Sequence, residues 1–323
     1  MAKYVVIIPY YGKFPSYFYE WALSASANDY IDFMIVSDID FPPWSSKFPN
    51  IRFFYEPLQA VKKRADAILG FKTMLITPYK LCDFKPLYGL LFPDLISGYE
   101  WWGYGDIDVI YGDMKNFWPS SITSETKYLY GLGHLSLFRN EEGVKKLPLS
   151  VGRKTLKRLF STRITYGFDE GPMALPKLLE KEGFTGEGDI LDIHDLVVGT
   201  PFLKPAAHFN GYYRHLYVWK DGHLICNSVE EGRNEVHLED CFYMHLQKRR
   251  IRNDALTPEK GFVIFPDRMV DYFPLDAETI LENSVRPPQK KQNKAIVLFR
   301  RIYYSLRRRL RIFSDRLIRP FYH

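Results

Sequence analysis

Three cysteines in 323 residues are too few to staple a fold. Cys82, Cys226 and Cys241 are odd in number and lack the close paired spacing of a zinc motif. They fit buried thiols in a reducing compartment. No run approaches the roughly 18 uninterrupted apolar residues that a membrane span needs. The opening Met1-Ala2-Lys3 leads into a short apolar run, Tyr4 to Pro9, which reads as a first strand rather than the core of a secretory signal. Internal repeats and low-complexity tracts are missing too. So is any second basic patch or recognisable module for nucleic acid. After the first strand, Tyr10-Tyr11-Gly12-Lys13 carries a single glycine, short of the glycine-rich phosphate loop a nucleotidyltransferase normally uses.

The composition is that of an ordinary globular chain, 46% hydrophobic and 25% charged, long enough for one large domain or two small ones. Aromatic residues reach 16%; their flat faces suit sugars and nucleobases but also plain cores, so no single ring is diagnostic. The net charge of +6 conceals an asymmetry. Eleven of the 44 bases and one of the 38 acids lie in residues 290–323, a net of +10, which leaves the body, with 33 bases and 37 acids, at −4.

Along the body, the apolar runs at Tyr4–Pro9, Phe33–Val36 and Ile51–Tyr55 alternate with helical material around 14–28 and 57–70. This pattern predicts an α/β sheet, largely parallel. Ligands in open α/β sheets gather at the carboxyl ends of strands. Pro9, Tyr10, Tyr11, Asp38 and the Asp106-Ile107-Asp108 triplet all fall at such ends. The stretch Trp101 to Asp113 is the most informative. Side chains two apart on an extended chain project to one side, so Asp106 and Asp108 can face one cation. Gly103 and Gly105 leave room for a ligand or another backbone. A hard divalent cation takes one or two carboxylates together with substrate phosphates and water. A nucleotide diphosphate also needs cations beside it and a flat pocket for its base. Lys85 and Lys248 are candidates for the first, and Tyr10 or Tyr11 for the second. His245 is a candidate third metal ligand, set against the bland alternative of a satisfied core histidine.

Taken together, Val5-Val6-Ile7-Ile8-Pro9-Tyr10, Cys82-Asp83-Phe84-Lys85, Asp106-Ile107-Asp108 and the distal His245 and Lys248 resemble the GT-A class of sugar-nucleotide-dependent glycosyltransferases over roughly residues 3–250. The blocks at Lys80–Pro86 and Trp102–Asp113 look like those of proteins encoded in bacterial capsule and exopolysaccharide loci. The resemblance implies a Rossmann-like fold over 1–285 that binds a UDP-sugar, or less often another NDP-sugar, with Mn²⁺ or Mg²⁺. It ranks Asp108 and His245 above Asp106 as direct metal ligands, with Asp83 and Lys85 in the donor-binding set. The longer His-Phe-Xaa-Gly-Xaa-Xaa-Lys pattern of some retaining enzymes is not kept, since Leu246 and Gln247 follow His245.

In Gly167-Phe168-Asp169-Glu170-Gly171-Pro172, an expected exposed turn, Asp169 or Glu170 is the candidate base toward an acceptor hydroxyl. The cluster Asp189, Asp192, His194 and Asp195 reads as a strand rim outside the core site. Residues 286–294 read as a linker. In residues 295–323 Phe299, Tyr303, Leu306, Leu310, Phe313 and Leu317 recur at helical spacing among arginines. Such a basic amphipathic helix suits an anionic membrane surface. The expected protein is a cytoplasmic glycosyltransferase, peripheral on the inner face of the cell membrane, that extends a lipid-linked or oligosaccharide acceptor in surface polysaccharide synthesis. The alternative is a catalytically silent glycan-binding or scaffolding protein at the membrane.

Overall fold

The computed structural model describes residues 3–188, 193–196, 213–230, 232–247 and 249–284. Lys248, Asp189, Asp192, the linker at 286–294 and the expected helix at 295–323 lie outside the described residues. Among the described residues no helix is long and apolar enough to cross a membrane.

The chain opens with β1 (Tyr4–Pro9), α1 (Phe18–Ser26), β2 (Ile31–Ser37), β3 (Ile51–Tyr55) and α2 (Leu58–Leu69). The second helix begins after Pro57 and stops at Gly70, whose φ of 67° closes it in the left-handed region. A 3₁₀ segment, Pro78–Leu87, leads to β4 (Trp101–Gly105) and β5 (Val109–Tyr111). Then come β6 (Thr126–Leu132), β7 (Leu135–Arg139) and, after two short helices, the helix Leu175–Lys181 and β8 (Thr185–Glu187).

These strands form a seven-stranded sheet in the order β3-β2-β1-β4-β7-β6-β8. The first four run parallel, β7 pairs antiparallel with β4 and β6, and β8 runs parallel to β6. Both faces are covered, which is why β1 is apolar throughout instead of alternating. Val6, Ile8, Phe33, Ile35 and Trp101 pack into one core, and Val5, Ile7, Met34, Val36 and Trp102 into the other. Gly103 is required by close approach: a Cβ there would lie 2.0 Å from the carbonyl oxygen of Ser136 on β7. The room is used by a neighbouring strand, not by a ligand.

From β1 the chain builds outward through β2 to β3, then crosses back to place β4 on the other flank of β1. That reversal is a topological switch point, and it leaves the carboxyl ends of β1 and β4 side by side.

The second half supplies β9 (Ile193–Asp195), β10 (Tyr213–Lys220), β11 (His223–Glu230), β12 (Val236–Asp240), β13 (Tyr243–His245), β14 (Arg252–Asn253), β15 (Phe262–Ile264) and β16 (Arg268–Asp271). Six of these make a second sheet, β12-β11-β10-β15-β16-β14, against the first core. The other two join β5 in a three-stranded sheet, β5-β13-β9. Its register is decisive for the site. His245 stands opposite Val109 across the antiparallel pair and opposite Asp195 across the parallel one.

Candidate functional site

Asp106 and Asp108 do not lie on a strand as expected; they occupy the bend between β4 and β5. The bend is pinned at both ends, by Asp106 N–H donating to the His134 carbonyl (3.2 Å) and Leu246 N–H donating to the Asp108 carbonyl (2.7 Å). The alternation rule is therefore not what aligns the carboxylates. Cross-strand pairing to β13 does it, bringing His245 Nε2 to 3.5 Å from Asp108 Oδ1. One ligand atom each from Asp106, Asp108 and His245 falls within 4.8 Å of the others.

Behind His245 stands Asp195, which by its sequence alone belongs to a strand rim outside the site. His245 Nδ1 lies 3.0 Å from Asp195 Oδ1, and the Gln247 amide donates to the same oxygen. Gln247 holds a left-handed backbone, φ 52°, uncommon for a residue other than glycine. Burial works against a charged His245, but hydrogen bonds with Asp108 and Asp195 outweigh it and raise its pKa to about 9. This pocket of negative potential with an imidazole in it suits a cation: two carboxylate oxygens and one nitrogen are a hard-to-borderline donor set. The residues present thus fit a divalent ion.

Lys85 is buried beside them. Its Nζ donates to Asp106 Oδ1 (2.7 Å) and the Gly133 carbonyl (2.8 Å) and lies 3.5 Å from Asp169 Oδ2. Burial disfavours its charge, yet Asp106 and Asp169 prevail and hold its pKa well above the usual value. Asp169 is itself buried, not on an exposed turn. Burial lifts its pKa to about 6, Lys85 pulls it down, and Glu170 and Asp106 push it up. The carboxylate expected as a base thus also faces a buried lysine. Glu170 is exposed and lines a separate open depression with Lys177 and Lys181.

A cavity of about 490 Å³ opens at the switch point, within the size range of small-ligand sites. Pro9, Tyr10 and Tyr11 line one side, and Lys85, Asp106 and Asp108 the other. Tyr10 ends a stack of rings, 5.4 Å from Phe14, which in turn lies 4.0 Å from Phe18. Arg249 also lines the cavity, one residue past the expected Lys248. Only the cluster of bases Lys248, Arg249 and Arg250 in the sequence hinted at it.

Two expected donor-binding residues are placed elsewhere. Asp38 is exposed at the end of β2 and does not line the cavity. Asp83 is fully buried, bonded to Lys80 Nζ at 2.7 Å and accepting from the N–H groups of Tyr166 and Phe168. Its lone pairs are committed to tying the 3₁₀ segment to the 160–168 loop.

The fold and site define an α/β protein with a cavity at the switch point of a mostly parallel sheet, where two acids of the wall, Asp106 and Asp108, cluster with His245. The chain belongs to the Family of unknown function (DUF6625), whose model matches residues 6–272. No curated protein matches it. Among solved structures it is similar to the galactosyltransferase LgtC, determined in complex with donor and acceptor sugar analogs. That match has 11% identity and a TM-score of 0.37, and covers 59% of this chain and 75% of that one. It is also similar to the apo form of the glycosyltransferase GlyE of Streptococcus pneumoniae TIGR4. Here identity is 13%, the TM-score is 0.33, and coverage is 60% of this chain and 46% of that one.

Proposed function

We propose that this protein is a metal-dependent glycosyltransferase that moves a sugar from a nucleoside diphosphate donor, most simply a UDP-sugar, to a glycan or lipid-linked acceptor in bacterial surface polysaccharide synthesis. The observation that carries the reading is that Asp106 and Asp108, which line the switch-point cavity, meet His245 in one cluster of ligand atoms. Asp108 and His245, with Asp106 alongside, would hold Mn²⁺ or Mg²⁺, and the ion when bound would neutralise charge on a departing diphosphate.

The chain's own residues then divide the work. Arg249 faces the cavity as a fixed cation for the diphosphate, taking the part first given to Lys248. Tyr10, held by its hydroxyl donating to the Lys13 carbonyl (3.1 Å), offers a flat wall. Lys85 fixes Asp106 in place by their 2.7 Å hydrogen bond, and Asp106 and then Asp169 keep that lysine charged. Asp195 and Gln247 fix the imidazole, aiming Nε2 at Asp108. Such preorganised charge is the main contribution an enzyme makes to a reaction whose transition state builds charge on a leaving group.

The test is hydrolysis of sugar nucleotides without acceptor, with and without Mn²⁺. Release of nucleoside diphosphate that needs metal separates an enzyme from the scaffold alternative. Arg249→Ala is expected to weaken donor binding by about 1.5–3 kcal/mol, the worth of a hydrogen bond to a charged group. An unchanged donor KM in that variant would remove Arg249 from the diphosphate site.

On this reading the basic segment 295–323 meets the anionic membrane surface that presents a lipid-linked acceptor. Deleting residues 286–323 is expected to release the protein from anionic liposomes and leave hydrolysis intact. Persistent liposome binding by the truncated chain would place the lipid contact elsewhere.

A further inference from the structure

A second group of metal-ligating side chains shares His245 with the first. His134, in the turn between β6 and β7, and Asp195, at the end of β9, each bring a ligand atom within 4.8 Å of His245 and of each other. We propose that His134, Asp195 and His245 form a distinct nitrogen-rich site for Zn²⁺, and that it cannot be filled together with the Asp106/Asp108/His245 site because both need the same imidazole.

Four observations support the assignment. First, His134 has an outer partner on its second nitrogen: its Nδ1 lies 2.7 Å from the hydroxyl of the fully buried Tyr243, a group able to accept a ring proton. In the tautomer that carries its proton on Nδ1, the ring donates to that hydroxyl and Nε2 keeps a lone pair for coordination.

Second, His245 Nδ1 and Asp195 Oδ1 stand 3.0 Å apart. With zinc–ligand bonds of about 2.0–2.2 Å, two donors of a tetrahedral ion lie roughly 3.3–3.5 Å apart. A cation in the place of the proton between them needs this pair to part by a few tenths of an ångström and the Gln247 amide, 3.2 Å from the same nitrogen, to turn away.

Third, the donor sets differ in kind. Two imidazoles and one carboxylate favour Zn²⁺, whereas two carboxylates and one imidazole suit Mn²⁺ or Mg²⁺. Fourth, there is a way in. His134 is buried, but the Asp195 side chain is 40% exposed and opens the cluster to solvent.

Exclusion follows from imidazole chemistry. A neutral ring that gives the Nδ1 lone pair to zinc keeps its proton on Nε2. That N–H then points at Asp108, 3.5 Å away, and the acid-rich site loses its nitrogen ligand. Zinc would thus act as an antagonist of the other metal. This consequence for activity rests on the proposed function, but the existence of the site does not.

The experiment uses the full chain, stripped of metal, with Zn²⁺ or Mn²⁺ alone titrated by calorimetry and Co²⁺ as an optical probe of a four-coordinate site. His134→Gln is expected to weaken Zn²⁺ by about tenfold or more, as loss of even an outer partner does, while leaving Mn²⁺ within about twofold. Asp108→Asn is expected to do the reverse. Asp195→Asn, at a partly exposed position, covers the case in which the buried His134 variant fails to fold: it removes a Zn²⁺ ligand but only an outer partner of the Mn²⁺ site, so Zn²⁺ should weaken more than Mn²⁺, and equal or smaller weakening of Zn²⁺ would overturn the proposal. Zinc binding lost in Asp108→Asn and unaffected by His134→Gln would overturn the proposal, as would absence of zinc binding to the wild type. Zinc binding that follows His134, in a protein that shows no Mn²⁺ binding, would uphold this site and overturn the metal assignment in the proposed function.

Discussion

Replacing Asp108 with alanine is expected to abolish the metal-dependent stabilisation of this protein by its sugar nucleotide. At a donor concentration about a hundred times Kd, that stabilisation amounts to about 2.7 kcal/mol in the wild type, seen as a rise in Tm. Asp108 is singled out because its carboxylate and His245 Nε2 face each other across 3.5 Å, with the Asp195 carboxylate behind the ring.

The same geometry sets a pH dependence. With no cation bound, hydrogen bonds with Asp108 and Asp195 keep His245 protonated up to about pH 9, against the effect of burial. A metal must displace that proton, so its affinity is reduced below pH 9 and recovers as pH rises. His245 alone contributes up to about tenfold per pH unit between pH 6.5 and 8.5. Titrating the metal across that range checks the sign: affinity that is flat, or that falls as pH rises, would remove His245 from the ligand set. In Asp108→Ala the leading cause of the raised pKa is gone, and the His245 ring should titrate at lower pH by NMR.

The largest effect on stability is expected at Asp83. It and Lys80 are both fully buried, 2.7 Å apart. Lys80 also donates to the carbonyls of Leu159 and Ile164, and Asp83 accepts from Tyr166 and Phe168. Breaking a buried pair from one side leaves an uncompensated charge, so Asp83→Ala should cost about 3–5 kcal/mol. In Tm that is a drop on the order of 10 °C. Replacing both partners, Lys80→Met with Asp83→Ala, should recover part of the loss. Donor affinity per folded molecule should be unchanged. A variant of wild-type stability that had lost donor binding would instead return Asp83 to the donor site.

The contrast between Asp83 and Lys85 shows the limit of reading a motif. Both stand in Cys82-Asp83-Phe84-Lys85, and both read as donor-binding residues. The 3₁₀ backbone sends them to different places, Asp83 inward to Lys80 and Lys85 toward Asp106 and the cavity. Asp169 teaches the same point. Glycine and proline around it mark a turn, and a turn was found, but burial beneath it follows from packing that local sequence does not encode.

What the sequence determined by itself is the class of fold and the chemistry available. Runs such as Val5-Val6-Ile7-Ile8 and Phe33-Met34-Ile35-Val36 have no polar side and must be buried on both faces, which fixes a covered parallel sheet. The Asp106-Ile107-Asp108 triplet beside paired glycines marked where acids would concentrate. Only the tertiary structure decided which distant groups join them. His134, Asp195, His245 and Arg249 arrive from the β6–β7 turn, β9, β13 and the segment beyond it. Their meeting depends on the register of β13 against β5 and β9. Hydrophobic periodicity tells a strand which face to bury, but the partner it pairs with, and in what register, is set by long-range packing. A slip of one residue would turn His245 away from both carboxylates.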